Sequence, residues 1–217
     1  MPMATESELA ETTSVRPYRG VDPADRRAAR RGRLLAAGLD LLGADDDMSE
    51  LTVRGICRRA GLAVRYFYES FADKNEFVGA VFDWVIADLA ATTQAAVTDA
   101  PAAEQTRVGM ANIVLAIDSD PRVGRLLFSS QPTNAVLVRK REESSVLFAM
   151  LSGQHVGTAL RMQRNERITA TAYFVVGGVA QTISAWLAGE VSLTPGKLVD
   201  QLASLLDRLA DPALYRD

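Results

Sequence analysis

The sequence predicts an all-α protein of about nine helices, a three-helix amino-terminal unit followed by a longer helical remainder. Three observations predict it. Apolar residues recur three and four positions apart through most of the chain. No segment alternates apolar and polar residues as a half-buried strand would. The breaks between periodic stretches are rich in Gly, Pro, Asp and Ser, which start and stop helices. Apolar residues make up 48% of the 217, enough for a real core and against global disorder.

Residues 1–20 are polar, contain Pro2 and Pro17, and are expected to form a flexible arm. The first helix is expected over Pro23 to Gly43. Asp22 can cap it, Pro23 suits its first turn, and Leu34, Leu35, Leu41 and Leu42 recur along it. "GADDDMSE" breaks the pattern. A short helix follows over Val53 to Ala60, with Thr52 as its cap and Val53, Ile56, Cys57 and Ala60 on one face. Gly61 stops it. A second short helix is expected over Ala63 to Glu69. After "SFAD", Asp73 and Glu76 form a capping box for a long helix whose stripe is Phe77, Val78, Val81, Phe82, Val85 and Leu89. Further helices are expected over Ala102 to Ile117, Pro121 to Ser129, Asn134 to Arg164, Thr169 to Leu187 and Pro195 to Leu209. They are separated by "DSDP", "SSQP", "RNER" and "GEVSLTPG". Domain boundaries are placed at 1–20 for the arm, 21–72 for the three-helix unit and 73–217 for the rest.

The net charge of −3 is unevenly spread. Val21 to Lys74 holds ten basic and nine acidic residues, whereas Asn75 to Asp217 holds twelve and fifteen. Leu51 to Tyr68 carries Arg54, Arg58, Arg59 and Arg65 with no acid, a local positive face. One cysteine, Cys57, excludes an internal disulfide, and with the single His155 it argues against a zinc cluster; no metal or cofactor is expected. The amino terminus lacks the apolar run of a signal peptide. "TATAYFVVGGVAQTISAWLAG" is uncharged over about a membrane-spanning length, but its Gln181, Thr182, Ser184 and small residues fit a buried helix better, and no second such run is evident. The chain therefore reads as soluble and cytoplasmic, without a membrane partner.

Two short helices joined by "RAGL" form a helix-turn-helix candidate. Gly61 allows the sharp turn, and Val53, Ile56, Leu62 and Phe67 would lock the helices at a large angle. The second short helix would lie in the DNA major groove, presenting Val64, Arg65, Tyr66 and Glu69 with Tyr68 at the edge. Arg65 can donate two hydrogen bonds to guanine. Tyr66 can meet a thymine methyl or a phosphate, and Tyr68 a phosphate. Lys74, with the free amides of its helix start, suits a phosphate as well. Ordinary packing is the alternative: short helices joined by glycine are common, and the arginines can be a solvated face.

The span from Arg33 to Phe77 resembles the amino-terminal domain of the tetracycline-repressor (TetR) family of bacterial regulators. "LTVRGICRRAGLAVRYFYESFADKNEF" carries the likeness through Thr52 and Val53, then Ala60, Gly61 and Leu62, then Phe67, Tyr68 and Phe71, then Asp73 and Lys74. About a quarter of the chain is covered. The resemblance implies a carboxy-terminal helical domain for effector binding and dimerisation, double-stranded operator DNA as partner, and DNA-binding residues Arg54, Ala63, Val64, Arg65, Tyr66, Tyr68 and Lys74. The sequence also departs from the family pattern. Ala63 replaces a usual Ser or Thr, Tyr66 a small residue, and Gly55 an acid, the last at a propensity cost of up to about 1 kcal/mol. The run Arg26, Arg27, Arg30, Arg31 and Arg33 reads either as DNA-backbone contact or as plain solubility. Arg16 and Arg19 can extend along DNA as an arm.

A single reading helix gives limited affinity, so a symmetric homodimer on a palindromic operator is expected. Its surface is expected on the last two long helices, at Val175, Val179, Ile183 and Trp186 and at Leu198, Leu202, Leu205 and Leu209. Gly177, Gly178 and Ala180 would permit close approach. The family likeness implies a four-helix bundle there; the alternative is that both stripes fill the monomer's own core. The resemblance also implies a small, largely apolar effector. Its pocket would be lined by Phe82, Met110, Ile113, Leu127, Phe128, Phe148, Phe174, Trp84 and Met150, with Asn112, Gln154, His155 and Tyr173 as polar candidates. Repression relieved by ligand is expected. No reactive constellation points to an enzyme, and no catalytic residue is assigned: Cys57 lies on an apolar face and His155 has no evident nucleophile partner. A helical protein-interaction module without specific DNA binding is the competing function, kept open by Ala63 and Gly55.

Overall fold

The computed structural model describes residues 22–44, 48–129, 134–159, 163 and 165–215, and the side chains of all of these except 48, 155, 156, 158 and 159. The expected arm, with Arg16 and Arg19, and the side chain of His155 lie outside the described residues. The described helices are α1 (Pro23–Leu42), α2 (Val53–Ala60), α3 (Val64–Tyr68), α4 (Lys74–Thr98), α5 (Gln105–Ser119), α6 (Pro121–Phe128), α7 (Ala135–Ala159), α8 (Glu166–Leu187) and α9 (Pro195–Arg208). Among the described residues there is no strand, in keeping with the all-α expectation.

Local chemistry sets most helix ends. Asp22 accepts the amide of Ala24 at 2.8 Å, and Thr52 accepts that of Gly55 at 3.0 Å. Asp73 accepts the amide of Glu76 at 2.8 Å. Glu76 returns to the amide of Ala72 at 2.6 Å, one residue ahead of the capping-box position, so the last loop residue is held too. Two helix starts differ from expectation by more than one residue. Asn165 caps α8 by accepting the amide of Ile168 at 2.9 Å, so the helix begins at Glu166 rather than Thr169. Residues 102–104 form a tight 3₁₀ turn ahead of α5.

The larger core cluster joins α1, α2, α3, α4, α6 and α7. Phe67, Phe71 and Phe77 meet at its amino-terminal end, with ring centroids 5.1–5.5 Å apart. Phe67 is 0% exposed, and burying each such ring contributes roughly 1.5–3 kcal/mol. Phe71 and Phe77 lie on either side of the expected 72/73 boundary, so one core runs through the junction between the two units. The smaller cluster joins α5, α8 and α9 through Val114, Ile117, Ile183, Leu198, Val199 and Leu202.

That second cluster corrects part of the dimer expectation. Ile183, Leu198 and Leu202 are buried inside the chain's own core, because α9 lies along α5 and turns its leucines inward. Val179 and Trp186 pack against the same cluster. Val175 and Leu209 are half-buried, and Leu205 alone of the eight is clearly exposed. The exposed apolar surface lies elsewhere: Phe174 is 69% exposed on α8 with Tyr173 beside it, and Leu147 and Leu151 are exposed on α7.

Two helices, α4 and α8, are long and apolar enough to cross a membrane by length and composition, with mean hydropathy of 1.2 and 1.3. Only the second stands out in the sequence as an uncharged run. In α4 the apolar residues Phe77, Val78, Val81, Phe82, Val85 and Leu89 are all buried in the larger core, which accounts for its composition.

Candidate nucleic-acid interface

The turn between α2 and α3 follows from Gly61. It is left-handed, with φ 61° and ψ 41°, a conformation that costs a residue with a Cβ. The amide of Gly61 reaches the carbonyl of Arg58 at 3.1 Å, and that of Leu62 reaches Cys57 at 2.9 Å. This pair of bonds is a Schellman close of α2. Arg33 of α1 adds a cation to the same end, donating to the carbonyls of Ala60 at 2.7 Å and Gly61 at 3.1 Å. Arg31 donates to the carbonyl of Ser70 at 2.9 Å just beyond α3 and stacks 4.4 Å from the centroid of Phe71.

These contacts add a role that neither reading of the first-helix arginines foresaw. Arg31 and Arg33 brace the helix-turn-helix by satisfying its loose carbonyls. Gly55 also gains a reason. A Cβ there would come within 2.2 Å of the backbone oxygen of Glu50, so close approach requires glycine where propensity disfavours it. Ala63, as expected from its missing hydroxyl, gives α3 no side-chain cap.

Of the expected DNA-contacting residues, Arg54, Ala63, Val64, Arg65, Tyr68 and Lys74 are exposed. Tyr66 is half-buried, while Phe67 points into the core and pins the helix. Arg54 and Lys74 pair with no described residue. The carboxylates of Asp73 and Glu76 already occupy the start of α4 beside Lys74, which weakens its appeal to a phosphate. The acid-free face of the sequence is partly neutralised in space. Arg58 pairs with Glu50 at 2.6 Å, and Arg59 with Asp40 at 3.1 Å. Arg65 donates to the hydroxyl of Tyr66 at 2.7 Å, and this bond raises its already high pKa further.

Among the described residues, most of the expected effector residues lie in the core or on the surface rather than around a common cleft. Phe82 and Leu127 are buried in the larger core, and Phe128 and Ile113 pack against both clusters. Met110 packs on the smaller one and Phe148 is half-buried. Tyr173 and Phe174 are exposed. Asn112 is tied to Thr92 and Thr93 at 3.1 and 2.8 Å. A cleft of about 770 Å³ lies between α1, α4, α5 and α6, lined by Leu39, Val85, Leu89 and Val123 and by two of the expected residues, Trp84 and Asn112, with Asp88 and Asp118 also on its walls.

Asp40 and Arg122 belong to the same cleft, although they stand far apart in the chain. Arg122 of α6 pairs with Asp40 of α1 and, at 2.7 Å, with Asp120. Arg125 donates to the carbonyl of Gly43 at the end of α1. Asp40 also holds Arg59, so α2, α1 and α6 are linked through one carboxylate. The hydrogen bond from Arg122 lowers the Asp120 pKa, which burial only partly opposes. At the other end of α6, Arg141 donates to the carbonyls of Arg125 at 3.0 Å, Leu126 at 2.8 Å and Ser129 at 2.6 Å, and burial lowers its pKa.

The arrangement is that of an all-α protein with a helix-turn-helix head joined to a helical body. No family model matches the sequence, and no curated protein matches it either. Solved structures do match. A putative TetR-family transcriptional regulator from Syntrophomonas wolfei superposes with a TM-score of 0.68 at 12% identity, covering 84% of this chain and 95% of that one. The transcriptional regulator FadR from Bacillus subtilis, in complex with stearoyl-CoA, superposes at 0.61 with 14% identity, over 81% and 96%. The superantigen PfiT superposes at 0.58 with 18% identity, over 85% and 97%. The chain thus has the fold of the TetR-type transcriptional regulators, as its "LTVRGICRRAGLAVRYFYESFADKNEF" segment led one to expect.

Proposed function

We propose that the protein is a DNA-binding transcriptional regulator that works as a homodimer on a palindromic duplex and is governed by a small molecule, most simply as a repressor released by it. The observation that carries this reading is α3. It is a short helix fixed from behind by Phe67, with Val64, Arg65 and Tyr68 turned to solvent. The dimer surface assigned here is the exposed face of α8 around Phe174, where Gly177 and Gly178 leave open space for a second backbone. The effector site assigned is the cleft between α1, α4, α5 and α6. Its apolar residues suit an apolar body, and Asp88 and Asp118 disfavour a polyanionic head group such as that of an acyl-CoA. A molecule seated there lies against Asp40 and Arg122, so it can change how α1 rests on α6 and hence the spacing of the two reading heads.

Fluorescence anisotropy with duplexes from the region upstream of the gene tests the reading. Tight binding that weakens steeply with salt and survives competitor DNA supports it. Arg65→Ala should then lose about 1–3 kcal/mol of discrimination. Equal binding of every duplex by both proteins would favour the helical interaction module, a use of the fold consistent with the likeness to PfiT.

A further inference from the structure

Tyr66 is clasped between two arginines from different helices. The Cζ of Arg30, on α1, lies 4.5 Å from the ring centroid, and that of Arg65 lies 4.7 Å from it. Arg65 also donates from Nη2 to the phenol oxygen at 2.7 Å. Arg30 is held in turn by Glu69, 3.5 Å away. A chain of contacts therefore runs from Glu69 through Arg30 and Tyr66 to Arg65.

We infer that Tyr66 and Arg30 are positioning residues that set the base preference of α3 by holding the Arg65 guanidinium in one orientation before DNA arrives. This inference rests on the DNA-reading role proposed above. The physical reason is ordering. An exposed arginine on a flexible stem loses rotamer freedom when it meets a base edge, and one already bonded loses less. Tyr66 takes one N–H of the five that a guanidinium offers, so a two-pronged fork remains for guanine N7 and O6. The phenol accepts that bond, leaving its own hydrogen free for a phosphate or a base acceptor. Arg30 contributes from behind. Its cation favours the ring face, and its bond to Glu69 draws it away from competing for the same base. Arg31 and Arg33 fix α1 against the turn, so the clasp has a rigid backing.

The test is selection of bound sites from random duplexes with wild type, Arg65→Ala, Tyr66→Phe, Arg30→Lys and the double variant Arg65→Ala/Tyr66→Phe. Competition titrations at two salt concentrations and thermal melts accompany it. Tyr66→Phe keeps the ring and removes the acceptor. It should relax preference at the same base pair as Arg65→Ala, by at least about 5-fold, with the salt slope and melting temperature of wild type. The double variant should lose no more than Arg65→Ala alone. Arg30→Lys keeps the charge but not the planar stack, and should lose a smaller part at that base pair. The inference is overturned if Tyr66→Phe keeps the wild-type preference, if it relaxes a different base pair, or if the losses in the double variant simply add. Should Tyr66→Phe melt early, Arg30→Lys decides alone, and an unchanged preference there sinks the clasp. A wild type without preference for any duplex removes the regulator reading itself and the clasp with it.

Discussion

The guanidinium of Arg33, on α1, donates at 2.7 Å to the carbonyl oxygen of Ala60, the last residue of α2. A charge placed on the negative end of a helix supports the turn that sets α3 against α2. Arg33→Ala should destabilise the protein by about 1–3 kcal/mol in urea unfolding. At temperatures where the variant is folded, the salt slope of its DNA binding should match wild type. A fall of that slope by about one unit would instead make Arg33 a phosphate contact.

Gly55→Ala should destabilise although alanine is the better helix former. Propensity alone predicts a gain of up to about 1 kcal/mol. The added methyl meets the Glu50 carbonyl, and relieving that overlap should cost about 1–3 kcal/mol, so the sign reverses. Chemical denaturation of the two proteins reads the sign directly.

The start of α6 should be acid-sensitive. Asp120 has a lowered pKa in the fold, chiefly through its bond to Arg122. A depressed carboxylate stabilises above its unfolded pKa, about 4, and loses that contribution as pH falls through the folded value. The stability gap between wild type and Asp120→Asn should therefore be widest near neutral pH and shrink below about pH 4. Arg122→Ala should flatten the same acid limb, which unfolding curves at several pH values will show.

Phe174→Glu should yield a folded monomer if α8 carries the dimer surface. Sedimentation should report half the wild-type mass, with an unchanged helical signal. Ile183→Ala, at a 0% exposed site, should instead lower stability by about 2–5 kcal/mol and leave the mass unchanged at temperatures where it is folded. A dimeric Phe174→Glu would move the interface to another face.

The legible parts of the sequence were local. Thr52 and Gly61 bound α2 at both ends because their bonds reach only a few residues. The start of α8 is not legible because "RNER" reads as a charged break, whereas Asn165 is a cap and Glu166 suits the first turn. The roles of Arg31, Arg33 and Arg122 were hidden for another reason. Their partners in other helices and loops lie 27 to 82 positions away, and two of the three rely on backbone oxygens that no residue type reveals. The stripe of Ile183, Leu198 and Leu202 could not be assigned either, since a core and a partner surface demand the same periodicity. Tyr66 was visible as an oddity, but its second arginine comes from α1 and only the fold brings it there.

Cys57 is 2% exposed, and burial raises its thiol pKa. As the sole cysteine in the sequence it offers little thiolate to a maleimide or a spin label at neutral pH. A probe carried on Tyr68→Cys would thus sit alone on each copy. If the protein pairs as proposed, dipolar spectroscopy could then ruler the separation of the two α3 helices with and without a candidate effector, needing no further mutation to silence the background.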